Sequence, residues 1–158
     1  MPLIEVTYAA GTMSDQARDR LTSDLPQTLL RWEGAPDTDF FREITWTYFH
    51  EMPADRIVVN GRPAAPSRAR YKVDVTVPEG PLSERRRDGL IADVTSLVLD
   101  ACEPGEREAD APMRVWVLVH EHPDGWWGAA GVSVQFAQLR RLAAEQRSSE
   151  SQVETQVP

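Results

Sequence analysis

Apolar and polar positions along this chain follow two rhythms in turn. Residues 2–8 (PLIEVTY) alternate like a strand with one buried face. Ser14 is placed to open a helix, and Ala17, Leu21, Leu25 and Leu29 then recur every four residues on one face. Pro26 interrupts that stripe and predicts a kink or break. Residues 44–50 are rich in β-branched and aromatic side chains, as strands are. The same succession then returns. Val75-Thr76-Val77 reads as a strand, Ser83 as a second N-cap, and Leu90, Ile91, Val94, Leu97, Val98 and Ala101 as a broad helical stripe. Residues 113–121 read as another strand. A linker rich in Pro, Ala and Arg, NGRPAAPSRAR, occupies residues 60–70, and a charged loop fills residues 103–110. A last helix is expected at about 134–146, with Phe136, Leu139 and Leu142 inward. Residues 147–158 are polar and expected to be disordered.

The recurrence is a true internal repeat. Val6-Thr7-Tyr8-Ala9-Ala10-Gly11 is answered by Val75-Thr76-Val77-Pro78-Glu79-Gly80, with the glycines 69 residues apart (80 − 11). Trp46-Thr47-Tyr48-Phe49-His50-Glu51-Met52-Pro53 is answered by Trp116-Val117-Leu118-Val119-His120-Glu121-His122-Pro123, with the first histidines 70 apart (120 − 50). Two blocks in the same order at nearly one offset imply a duplicated unit, residues 2–62 and 70–131, within one domain over residues 1–145. A strand-helix-strand crossover makes the two strands of each unit parallel. The expected fold is therefore α/β, two fused β-α-β units forming a four-stranded sheet with two helices on one face. The other face is left open and requires a partner.

Composition narrows the function. Seventeen basic residues against 25 acidic ones give a net charge of -8, which argues against nucleic acid or an anionic membrane as partner. No apolar run approaches a membrane span, and the start lacks a basic segment followed by an apolar core, so no signal peptide is expected. Cys102 is the single cysteine, beside Leu97, Val98 and Leu99, and reads as a core thiol in a reducing, cytoplasmic setting. Three histidines and no cysteine cluster make a metal site unexpected. His50 and His120 hold equivalent strand-end places and read as satisfied structural residues.

The residue with the most chemistry is Pro2. Methionine before proline is expected to be trimmed, which would leave a secondary amine at the start of a strand. An α-amine has a reference pKa of ~8, and apolar surroundings lower it. A neutral amine at pH 7 serves as a general base or nucleophile.

Over nearly its whole length the chain resembles the tautomerase superfamily, whose members start with a catalytic proline. Residues 121–131 (EHPDGWWGAAG) look like the segment that ends the second strand and enters the hairpin in 4-oxalocrotonate tautomerase. Pro2 through Gly11, with Ser14-Asp15-Gln16, looks like the start of the same enzyme. The fused length is closer to the cis-3-chloroacrylic acid dehalogenase group. The resemblance implies a homotrimer with its sheets wrapped into a barrel, a small-molecule substrate and no cofactor. The departures are specific. Carboxylate-binding arginines of the short tautomerases fall on Thr12 or Pro81 and on Trp46 or Trp116; those of the dehalogenase group fall on Pro78 and Pro81. The dehalogenase helix histidine falls on Leu29, and its water-activating tyrosine and glutamate fall on Leu118 and Ala129. The pocket aromatic is matched by Trp127.

What carries over is a proline, a scaffold and an aromatic. The expectation is a cofactor-independent keto-enol tautomerase with Pro2 as base, acting on an aromatic or apolar keto substrate. Trp127, Trp116 and Thr12 are candidate walls, and Arg62 and Arg114 candidate replacement cations. The alternatives are a hydratase, dehalogenase or decarboxylase of the same superfamily, or a catalytically silent oligomeric scaffold.

Overall fold

The computed structural model of the protein describes residues 2–154, with side chains as far as residue 148. In the first unit β1 (Leu3–Ala9) leads through α1 (Asp15–Glu33) and the short α2 (Asp39–Glu43) to β2 (Trp46–Met52). A two-residue hairpin follows, β3 (Val58–Val59) and β4 (Arg62–Pro63). The second unit repeats the order with β5 (Tyr71–Pro78), α3 (Glu84–Cys102) and β6 (Val115–His122), then β7 (Trp127–Ala129) and β8 (Val132–Val134). α4 (Phe136–Glu154) completes the described chain.

The sheet order is β2-β1-β5-β6. β1 pairs with β2 in parallel and β5 with β6 in parallel, while the central β1 and β5 are antiparallel. Both ends of α3 lie 69 residues after those of α1 (84 − 15 and 102 − 33), so the repeat is structural as well as textual. Period-two alternation decides what each face holds. Ile4, Val6, Tyr8, Tyr71, Val73, Val75 and Val77 are buried beneath the helices. They meet Ala17, Leu21, Leu25 and Leu29 of α1 and Leu90, Val94 and Val98 of α3. The opposite face shows Trp46, Tyr48, Trp116 and Leu118 to solvent.

Three local expectations are corrected. Of the expected kink or break at Pro26 the break is overturned, since α1 continues as one helix through that residue. A proline inside a helix costs ~3 kcal/mol, but Leu25, Leu29 and Leu30 on either side are fully buried, each worth about 1.5–3 kcal/mol. Tertiary burial therefore holds the helix together. α4 turns Ala143 inward and leaves Leu142 at 37% exposure, because Phe136, Leu139 and Ala143 share one face and Leu142 flanks it. α4 also extends beyond 146, making residues 147–154 helical; residues 155–158 lie outside the described residues. Ser14 caps α1 by accepting from the Ala17 N–H, whereas Ser83 stands at the N-cap of α3 without such a bond.

α1 and α3 meet at Gly89. A Cβ there would lie 2.2 Å from Cη2 and 2.4 Å from Cζ2 of Trp32. The indole cannot swing away freely, because its Nε1–H donates to Asp93 Oδ2 at 2.8 Å. Gly89→Ala should gain ~1 kcal/mol of helix propensity but lose about 1–3 kcal/mol to overpacking. A lower melting temperature is expected, and with Trp32→Ala in the background the same change should become stabilising. Stabilisation of the wild type by Gly89→Ala would show that the indole has room to move.

Candidate active site

Pro2 is buried at the mouth of β1, its carbonyl accepting from the Trp46 N–H at 3.2 Å. It lines a cavity of about 770 Å³, open to solvent. The walls come from the end of α1 (Glu33, Gly34), from Phe41 and Ile44, from the β5–α3 turn (Pro78, Gly80, Pro81) and from α4 (Phe136, Leu139 and their neighbours). The corner at Gly34 is left-handed, φ 73°, and a Cβ there would press on the Arg86 guanidinium at 3.3 Å. α4 is tied across the opening at its start and near its middle. The Phe136 N–H donates to Asp124 Oδ1 at 2.6 Å, and the Thr38 hydroxyl donates to Gln146 Oε1 at 2.5 Å.

Four guanidiniums line this cavity in an acidic protein: Arg86 from α3 and Arg140, Arg141 and Arg147 from α4. Arg86 Nη1 donates to the carbonyls of Pro81 (3.1 Å) and Glu33 (3.3 Å). Arg147 donates to the Gly34 carbonyl at 3.2 Å, and Arg141 lies 3.8 Å from Glu145. Arg140 stacks over the Phe136 ring at 5.9 Å. Among the described residues no carboxylate pairs with Arg86 or Arg140. The cavity also holds Glu33. As a residue Glu33 is half-buried, but burial of its carboxyl lifts the pKa to about 7.

The repeat supplies a mate to this cavity, of about 480 Å³. The offset carries Pro2 to Tyr71, Glu33 to Cys102, Pro81 to Thr12 and, one residue later, Ile44 to Arg114. Three of these four, Tyr71, Cys102 and Thr12, meet chemistry unlike that around Pro2. The Tyr71 hydroxyl donates to the Thr12 carbonyl at 2.9 Å. Burial raises the Tyr71 phenol and pushes the Cys102 thiol to about 11, so both stay neutral. Arg114, 4% exposed, pairs with Glu103, with Glu108 at 2.9 Å and with Asp110 at 3.6 Å; Arg68 binds the last two as well. Arg114 is buried although Glu108 and Asp110 are half exposed, so removing its partners would leave a buried unpaired charge. This second cavity is a lock between the α3–β6 loop and the linker.

The sequence candidates therefore separate. Thr12 and Arg114 stand in the second cavity. Trp116 lies on the open sheet face, 68% exposed, and Arg62 is exposed in β4. None of these four lines the Pro2 cavity. Trp127 lines a small adjoining cleft that shares Pro78, Phe136 and Leu139 with it, and its ring meets His122 edge-on at 5.6 Å. His50 and His120 each contact a carboxylate on the neighbouring strand, Glu5 at 2.9 Å and Asp74 at 3.0 Å. Sequence reasoning missed Glu33, Arg86, Arg140, Arg141 and Arg147. Two signals were present. Arg85, Arg86 and Arg87 crowd the first turn of a helix, where the dipole disfavours cations. Arg140 and Arg147 share the face of Phe136 and Ala143, at the spacing of an inward stripe.

The fold and this site define a fused chain of two β-α-β units with one proline-lined cavity. The tautomerase enzyme family model matches residues 72–137, so the second unit carries that family's sequence pattern. A search of curated proteins finds no match. Solved structures show the fold over most of the chain. A member of the cis-3-chloroacrylic acid dehalogenase family is 20% identical, with 89% of each chain covered and a TM-score of 0.70. A wild-type fused 4-OT, described as an asymmetric trimer, is 20% identical over 89% of this chain and 98% of that one, with a TM-score of 0.67. A protein inactivated by 2-oxo-3-pentynoate is 18% identical over 86% of this chain and 98% of its own, with a TM-score of 0.68. The chain thus shares the fold of these solved structures, and residues 72–137 match the tautomerase enzyme family model.

Proposed function

We propose that this protein is a cofactor-independent tautomerase in which the Pro2 amine, freed by loss of Met1, moves a proton between carbon and oxygen of a keto-enol acid. One observation carries the reading: Pro2 is buried at a cavity whose other groups are apolar rings, guanidiniums and a single carboxyl. Apolar walls depress an amine's pKa, and so do nearby cations. Both favour a neutral base at pH 7. Phe41, Phe136 and Leu139 suit an aromatic or branched substrate tail. Arg86 and Arg140 suit one carboxylate, through the forked donors that a guanidinium presents. An aromatic keto acid such as phenylenolpyruvate meets both demands.

Three measurements test this. Intact mass should show loss of Met1, 2-oxo-3-pentynoate should add covalently to Pro2, and ultraviolet absorbance should follow phenylenolpyruvate ketonisation. A retained Met1 makes the Pro2 nitrogen an amide without basicity and ends the proposal.

The assembly proposed is a homotrimer. Trp46, Tyr48, Trp116 and Leu118 form an exposed apolar face on the sheet, larger than scattered surface residues account for, and the fused relatives are described as trimers. Light scattering at micromolar concentration should return three times the chain mass. A stable monomer would refute the trimer.

A further inference from the structure

We infer that the Glu33 carboxyl is a second proton-transferring group in the Pro2 cavity, an inference that rests on Pro2 being the base. Glu33 is the last residue of α1. The helix dipole places negative partial charge there, so a carboxylate at this position works against the helix. Among the described residues no hydrogen bond or salt bridge joins its carboxyl to another side chain, and the chain's amino terminus acts on it through charge alone. It nevertheless lines the same cavity as Pro2. α1 contributes Glu33 itself, and Phe41 and Ile44 beyond it are apolar. The charged groups lining the same cavity are Arg86 from α3 and Arg140, Arg141 and Arg147 from α4, and the Pro2 amine joins them once Met1 is lost. Burial raises its pKa to about 7, against the positive charge of the chain's amino terminus, which draws it down. A carboxyl poised there gives up a proton far more readily than an ammonium does and keeps it far better than an exposed carboxylate.

The step balances without any further reactant. The Pro2 lone pair takes the proton of the enol hydroxyl, and the oxygen's electrons close the C=O bond. The electrons of the C=C bond take the proton of Glu33, forming the new C–H bond. The products are ketone, Pro2 ammonium and Glu33 carboxylate, and one proton passing from the ammonium to the carboxylate through water resets the site. Turnover then needs Pro2 neutral and Glu33 protonated. Activity should fall on the acid side as the amine protonates, and on the alkaline side as Glu33 ionises near pH 7.

The test is kcat and kcat/KM against pH for phenylenolpyruvate in wild type, Glu33→Gln and Glu33→Asp, with melting temperature as the check on folding. Glu33→Gln should lower kcat about 10²-fold and lose the alkaline limb while keeping the acid limb. Glu33→Asp should restore the alkaline limb at reduced kcat, which a merely structural glutamate would not do. A folded Glu33→Gln protein with wild-type kcat and an intact alkaline limb overturns the inference, as does a folded Glu33→Asp protein without that limb. Covalent labelling of Pro2 separates the two failures. Label on Pro2 in wild type and variant with unchanged kinetics sinks Glu33 alone, whereas a wild type that neither takes the label nor turns over substrate sinks the Pro2 reading and this inference with it.

Discussion

Pro2→Ala is expected to lower kcat/KM for phenylenolpyruvate by about 10³-fold, within the 10²–10⁴ typical of a general base. That corresponds to about 4 kcal/mol of transition-state stabilisation. Alanine leaves an amine at the terminus, so the loss comes from geometry as well as from basicity. The pyrrolidine ring fixes φ and holds the nitrogen against the cavity, while an alanyl amine rotates freely. The fold should survive, because the Trp46 N–H still finds the carbonyl of residue 2. Melting temperature and oligomer mass should match wild type. Unchanged activity in the folded variant would remove Pro2 from the mechanism.

Pro2 stands out by residue type alone, and the structure sets it in the lining of a cavity. The sheet, its parallel pairs and the buried stripes of α1 and α3 were legible because each unit is local, and the repeat at 69 to 70 residues let one half check the other. Pro26 misled because a local propensity was read without the three buried leucines around it. Leu142 misled because residue type was read without angular position on the helix.

The cations failed to appear for a physical reason. Replacements for the missing arginines were sought at matching positions in the sheet and the linker. The guanidiniums that line the Pro2 cavity come from α4, an element outside the repeat, and from the solvent edge of α3. Arg62 and Arg114 carry the right charge, but charge alone does not tell a lock from a ligand site. Arg114 has carboxylates at 2.9 and 3.6 Å besides Glu103, and it is buried. Duplication made two similar cavities, but an internal residue such as Tyr71 has only an amide nitrogen. The second cavity is instead braced by the ion pairs around Arg114.

The Arg86 and Arg140 pair offers the other large effect. If they hold the substrate carboxylate, Arg86→Met and Arg140→Met should each raise KM for phenylenolpyruvate more than they lower kcat. A charge-assisted hydrogen bond contributes about 1.5–3 kcal/mol, which is roughly ten- to a hundredfold per contact. The double variant should lose about 10²–10⁴-fold in kcat/KM if the two act independently. Their weights should differ. Arg86 also bridges the carbonyls of Pro81 and Glu33 and so shapes the cavity, whereas Arg140 has only the Phe136 ring beneath it. Arg86→Lys should recover little, because an ammonium cannot reproduce the fork. A neutral keto-enol compound without a carboxylate is the control, and its turnover should change little in Arg140→Met. Raising ionic strength should weaken the carboxylate substrate selectively, since an open cavity is screened. Equal losses for the charged and the neutral substrate would show that these arginines support the walls and do not read the carboxylate.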